Sequence, residues 1–145
     1  MTFVRYQATV PSTRKFRIAT WNVRTLNQID KLDNVERDES AVCVDMLGLN
    51  EVRWPGKGCN KLDNRGTFVY EGRDTAERGV GIMLTESVVK CMIGYWEVSD
   101  RVLLVRIKEN PFNICLIHIY APTTQHEEDE MDKFYREVQR AKRPV

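Results

Sequence analysis

A chain of 145 residues gives room for one ordinary domain whose core needs no disulfide or structural metal, and it excludes a multidomain enzyme within these residues. Lysine and arginine number 22 against 21 aspartates and glutamates, so the formal charge of +1 excludes a uniformly basic nucleic-acid binder. A locally basic groove stays open, because the placement of charge rather than its sum decides that. Hydrophobic residues at 42% and aromatics at 9% exclude a disordered chain.

Residues 1–15 alternate poorly and contain Pro11 and Ser12, which predicts a flexible leader ahead of a domain over 16–145. Residues 16–23 (FRIATWNV) read as a strand. Residues 30–42 place Leu32, Val35 and Val42 at helical spacing, interrupted by Glu36 and Glu39, and predict a thinly amphipathic helix. Residues 44–49 (VDMLGL) then give a buried strand parallel to the first, closing a right-handed βαβ unit. Pro55, Gly56, Gly58, Asn60 and Gly66 predict a loop before a short strand over 67–70. Strands follow over 79–84, 88–98, 102–108 and 113–120, and their spacing favours antiparallel hairpins. The last of these is apolar on both faces, which predicts a strand in the middle of a layered structure. The final element is a helix opened by a Thr124/Glu127 capping box, with Met131, Phe134, Tyr135 and Val138 as its buried stripe.

Cys43, Cys59, Cys91 and Cys115 form no CxxC pair, and three lie in apolar segments. They read as small buried hydrophobes in a reducing compartment. With no signal-like block, no segment of membrane-spanning length and no long basic run, the sequence predicts an intracellular protein, nuclear or cytoplasmic and not secreted.

Three apolar strands end on polar residues that their own pattern does not need: Asn22, Glu51 and Tyr120. Neighbouring strand ends are the usual place for chemistry in layered α/β proteins. A carboxylate flanked by apolar sequence needs a cation or a donor network, and magnesium requires only one or two such carboxylates. The plainer reading pairs Glu51 with Arg53 or Arg24 at the rim, and spacing alone favours it. His118 reads as a hydrogen-bonded core histidine, since no HxH or HExxH accompanies it. Residues 54–58 (WPGKG) lack the phosphate-binding loop pattern and read as a turn.

The runs IATWNVRTL (18–26), LGLNEVRW (47–54), ERGVGIML (77–84), SDRVLLVRI (99–107) and IYAPT (119–123) occur in an order that resembles the endonuclease/exonuclease/phosphatase superfamily. Within it, the likeness is to the apurinic-type endonuclease domain of RTE-like non-LTR retrotransposons. The resemblance implies a four-layered α/β sandwich and a magnesium-dependent phosphodiester hydrolase that nicks DNA. It places Glu51 on the metal-binding glutamate, Asn22 on the asparagine that helps hold the site, and Tyr120 on the tyrosine that contacts the scissile phosphate. Arg101 falls on a phosphate-contacting arginine, and Arg24 replaces an aspartate found in many relatives, adding a cation that faces DNA.

The superfamily's GD-x-N segment and C-terminal Asp-His pair have no counterpart in these residues. The expected protein is therefore the N-terminal part of the sandwich, with its C-terminal portion missing and with little or no hydrolysis on its own. The alternative is a catalytically dead remnant or a domesticated binding module.

Overall fold

The computed structural model describes residues 2–6, 16–22, 44–53, 56–62, 66–72, 79–122 and 128–143. Among the described residues, nine strands form two sheets. The first has the order β1 (Thr2–Tyr6), β2 (Phe16–Asn22), β3 (Met46–Asn50), β6 (Val80–Leu84), β5 (Thr67–Glu71) and β4 (Lys57–Lys61). The second is an antiparallel meander of β7 (Met92–Ser99), β8 (Val102–Ile107) and β9 (Ile114–Ile119). A one-turn helix, α1 (Glu86–Val89), links the sheets, and α2 (Glu128–Lys142) follows the second.

Strand β2 runs parallel to β3, whereas β3, β6, β5 and β4 pair antiparallel in succession. Apolar runs that are buried throughout, MLGL in β3 and VGIML in β6, form the middle of this sheet because both of its faces are covered. One face supplies Met46, Val69, Val80, Ile82 and Leu84, which pack against Leu103, Val105 and Ile107 of β8 as the main core. The other supplies Leu47, Leu49, Phe68 and Met83 to a second buried cluster with Val52. Helix α2 covers the far side of the second sheet through Phe134, Val138 and Ala141, packed with Val98, Val102 and Ile117. The layers are thus sheet, sheet and helix, with the outer face of the first sheet also buried. This is the expected α/β sandwich class.

Several local expectations are corrected. Thr2–Tyr6 is not a leader but an edge strand antiparallel to β2, because TFVRY is rich in β-formers and finds a partner in FRIAT. The segment from Pro55 to Gly66 read as a loop contains β4, whose sequence KGCNK has poor strand propensity. Its ladder to Thr67–Glu71 supplies the backbone bonds, and its lysines suit an exposed edge. The stretch 88–98 divides into α1 and β7. Among the described residues, β9 is an edge strand with Cys115 and Ile119 exposed, so apolar composition overstated its burial.

In α2, Tyr135 is 60% exposed. The buried stripe is Phe134, Val138 and Ala141, and Glu130 and Glu137 on the same side bond to the second sheet. Cys59 is exposed as well, contrary to the expectation of buried cysteines. The helix expected over 30–42, the capping box at Thr124 and Glu127, Cys43 and Arg24 lie outside the described residues.

Candidate functional site

Parallel strands β2 and β3 finish side by side, with Asn22 registered against Asn50. The row continues across the sheet through Val80, Glu71 and Lys57. One end of the first sheet therefore gathers polar residues from four strands.

Immediately after β3 the backbone turns sharply. Glu51 and Arg53 adopt φ of 57° and 58°, a left-handed conformation uncommon for non-glycine residues. Between them Val52 is 1% exposed, anchored in the outer cluster, and its N–H donates to the Gly79 carbonyl at 3.2 Å. Burying Val52 while both neighbours turn leaves the Arg53 guanidinium 3.4 Å from Glu51 Oε2. Conformations of this kind cost on the order of 1–3 kcal/mol each and persist where the surroundings enforce them.

The second sheet delivers Tyr120 to the same point. Directly after β9, its N–H donates to the Arg101 carbonyl at 2.8 Å, and its phenol donates to Glu51 Oε1 at 2.9 Å. Burial, then the hydrogen bond to Glu51 and that residue's charge, push the Tyr120 phenol above its ordinary range, against the opposing pull of Arg101 and Arg53. Tyr120 is thus a protonated donor near neutral pH.

Arg101 sits differently from an expected phosphate contact: it is 4% exposed. Its guanidinium donates to the Tyr120 carbonyl and to Glu130 Oε1 of α2, both at 3.0 Å, and lies 5.3 Å from the centre of the Tyr120 ring. Burial on this scale needs such partners, since an uncompensated buried charge is costly. The residue positions Tyr120 and ties it to α2. Ser99 adds a second tie, donating to Glu137 Oε2 at 2.7 Å.

His118, two residues before Tyr120, is 6% exposed and lies 3.2 Å from the Leu49 carbonyl through Nε2. A carbonyl only accepts, so Nε2 carries the proton. Burial lowers the histidine's pKa to about 4, outweighing the opposing effect of the hydrogen bond. Its ring occupies the space that a side chain at position 48 would fill, which is why β3 carries glycine there. It is a core histidine, as its sequence context predicts.

Of the expected residues, the structure joins Glu51 and Tyr120 directly and Arg101 through Tyr120, while Asn22 ends the strand beside Asn50. The sequence reading assigned no role to Asn50 and placed Glu130 only at the acidic start of the last helix, whereas its plainer pairing of Glu51 with Arg53 is the 3.4 Å contact seen here. Position 50 lies inside the quoted LGLNEVRW run and next to Glu51, which was the available signal. Its Oδ1 is buried and has no hydrogen-bond partner. Glu71 and Lys57 of the same row were also missed. Burial and the nearby Glu97 raise the Glu71 pKa, and Lys57 bridges to Glu97 at 3.8 Å.

The Glu51 carboxylate and the Asn50 amide both carry oxygen atoms, the donor type that a hard divalent cation prefers. Among the described residues, no group of three or more His, Cys, Asp or Glu is arranged to hold a metal. None of the described helices is long and apolar enough to cross a membrane.

No protein-family profile matches the chain. Over 125 residues, 86% of its length, it is 34% identical to craniofacial development protein 2 of Bos taurus and 32% identical to craniofacial development protein 2 of Tragulus javanicus. It spans only 21% and 22% of those proteins. Among solved structures, the crystal structure of an AP endonuclease from Leishmania major shares the fold with a TM-score of 0.65 at 18% identity, over 97% of this chain and 52% of that one. Over the part they cover, the chain is thus similar in sequence to craniofacial development protein 2 and shares the α/β sandwich fold of an AP endonuclease, the fold class expected from its sequence.

Proposed function

We propose that the chain is the N-terminal, metal- and phosphate-binding part of a magnesium-dependent DNA endonuclease of the retrotransposon type. The observation that carries this reading is the 2.9 Å hydrogen bond between Tyr120 and Glu51, residues 69 apart in sequence that end strands of opposite sheets. Fold likeness to an AP endonuclease supports DNA as the substrate class. A magnesium ion held by Glu51 supplies positive charge against the phosphoryl oxygens.

The chain's own residues do the rest of the binding. Tyr120 presents, beside Glu51, a phenol that would donate to a phosphate oxygen of the bound substrate. Arg53, 43% exposed in its side chain, offers a guanidinium to the same phosphate. Arg101 holds the Tyr120 ring and carbonyl in place from beneath. Asn22 and Arg24 complete the assignment through the resemblance, as an amide donor and a DNA contact. Because the chain spans about half of the AP endonuclease structure, hydrolysis is assigned to the longer domain rather than to these residues alone.

The alternative, a binding module without catalysis, draws support from the burial of Arg101, which removes one expected phosphate contact. Two measurements separate the readings. Anisotropy of a labelled duplex containing an abasic site, with magnesium or with EDTA, tests the cation-dependent affinity that Glu51→Gln removes. Nicking of supercoiled plasmid by this chain continued through the rest of an endonuclease domain tests catalysis. Metal-independent binding without nicking favours the module, and failure of both sinks the nuclease reading.

A further inference from the structure

Asn50 closes β3, one residue before Glu51, and stands in register between Asn22 and Val80. Strand alternation puts it on the face of Met46 and Gly48, toward the second sheet. His118 lies against Gly48 across the intersheet space, and Tyr120, two residues beyond His118, reaches Glu51. Asn50 thus lies at the mouth of that space, at the level of the Tyr120–Glu51 bond.

Its amide oxygen is an anomaly, being buried and without a hydrogen-bond partner. Buried acceptors are nearly always satisfied, by protein, water or an ion, and an exception asks for its missing partner. In a regular strand, residues 50 and 51 would point to opposite faces. The left-handed turn at Glu51, φ 57°, releases that residue from the alternation. The buried Asn50 oxygen and the Glu51 carboxylate are therefore not held to opposite faces of the sheet.

We propose that Asn50 Oδ1 is a second protein donor, beside Glu51, to the divalent cation of this site, with the reading of Glu51 as a metal ligand as its premise. A neutral amide beside a single carboxylate suits a small hard ion that retains several waters and leaves room for phosphate oxygens.

The test is titration of the chain with Mn²⁺, followed by calorimetry and by the paramagnetic resonance of free Mn²⁺, with thermal melting of each metal-free protein. The wild type is expected to bind saturably, and Glu51→Gln to lose binding. Asn50→Leu should melt at the wild-type temperature or above, having lost an unpaired acceptor, yet bind Mn²⁺ roughly tenfold more weakly. If Asn50→Leu fails to fold, Asn50→Ala must show the same loss of affinity. Unchanged affinity in these variants, with Glu51→Gln still defective, overturns the role of Asn50 and leaves the metal reading standing. A wild type that binds no Mn²⁺ overturns both.

Discussion

Acidification should unfold this protein through His118, and the effect can be worked out in advance. In the unfolded chain the imidazole titrates near 6.5, whereas burial in the fold lowers it to about 4. Below 6.5 the unfolded state binds the proton that the folded state refuses. Stability is therefore intact above pH 6.5, falls as the pH drops, and levels off below about 4. At about 1.4 kcal/mol per pH unit, the contribution lost is about 2 kcal/mol by pH 5 and about 3 kcal/mol by pH 4. Other groups titrate in this range too, and Glu71, with its raised pKa, acts in the opposite direction. A comparison with His118→Gln, which keeps a donor for the Leu49 carbonyl, cancels them. Urea unfolding of both proteins at pH 7.5, 6, 5 and 4 should show the wild type losing about 2 kcal/mol more than the variant between the first and third conditions. Parallel loss in the two proteins would refute the assignment of a neutral, buried His118.

Further outcomes follow from the same contacts. Gly48→Ala sets a methyl against the His118 ring and should lower stability by about 2 kcal/mol in urea unfolding, with His118→Ala relieving part of the cost in the double variant. Leu103→Ala, which empties a fully buried position between the sheets, should cost about 3 kcal/mol by the same assay. Glu130→Gln removes the carboxylate facing the buried Arg101 and should cost about 2 kcal/mol, whereas Arg101→Met with Glu130→Met should cost less than the sum of the singles. Equal, additive losses there would mean that the pair is not coupled.

Strand β3, β6 and β8 were legible because unbroken apolar runs of strand length have few other uses in a layered fold. Strands β1 and β4 were not, since both are edges whose residues are specified by a partner ladder rather than by a buried face. The candidate site divides the same way. Glu51 and Tyr120 stand out as polar residues ending apolar strands, and the ordered motifs gave them roles. Arg101 was identified, but its burial depends on Glu130, 29 residues later on α2, and no local pattern encodes that meeting. Tyr135 shows the converse error, an aromatic at helical spacing that faces solvent because Glu130 and Glu137 take the side of α2 toward the second sheet.

The two left-handed residues flanking Val52 have a bearing on how sequence is chosen here. Glycine at position 53, whose side chain is 43% exposed, would relax the backbone and raise thermal stability by about 1 kcal/mol, whereas at position 51 the same relief is offset by loss of the Tyr120 hydrogen bond. A library sorted for thermal tolerance alone should therefore accumulate glycine or asparagine at position 53, while one sorted for binding of metal or nucleic acid should discard them. Where those two selections diverge most sharply along the chain, the divergence itself maps the part of the surface that was shaped for work rather than for folding.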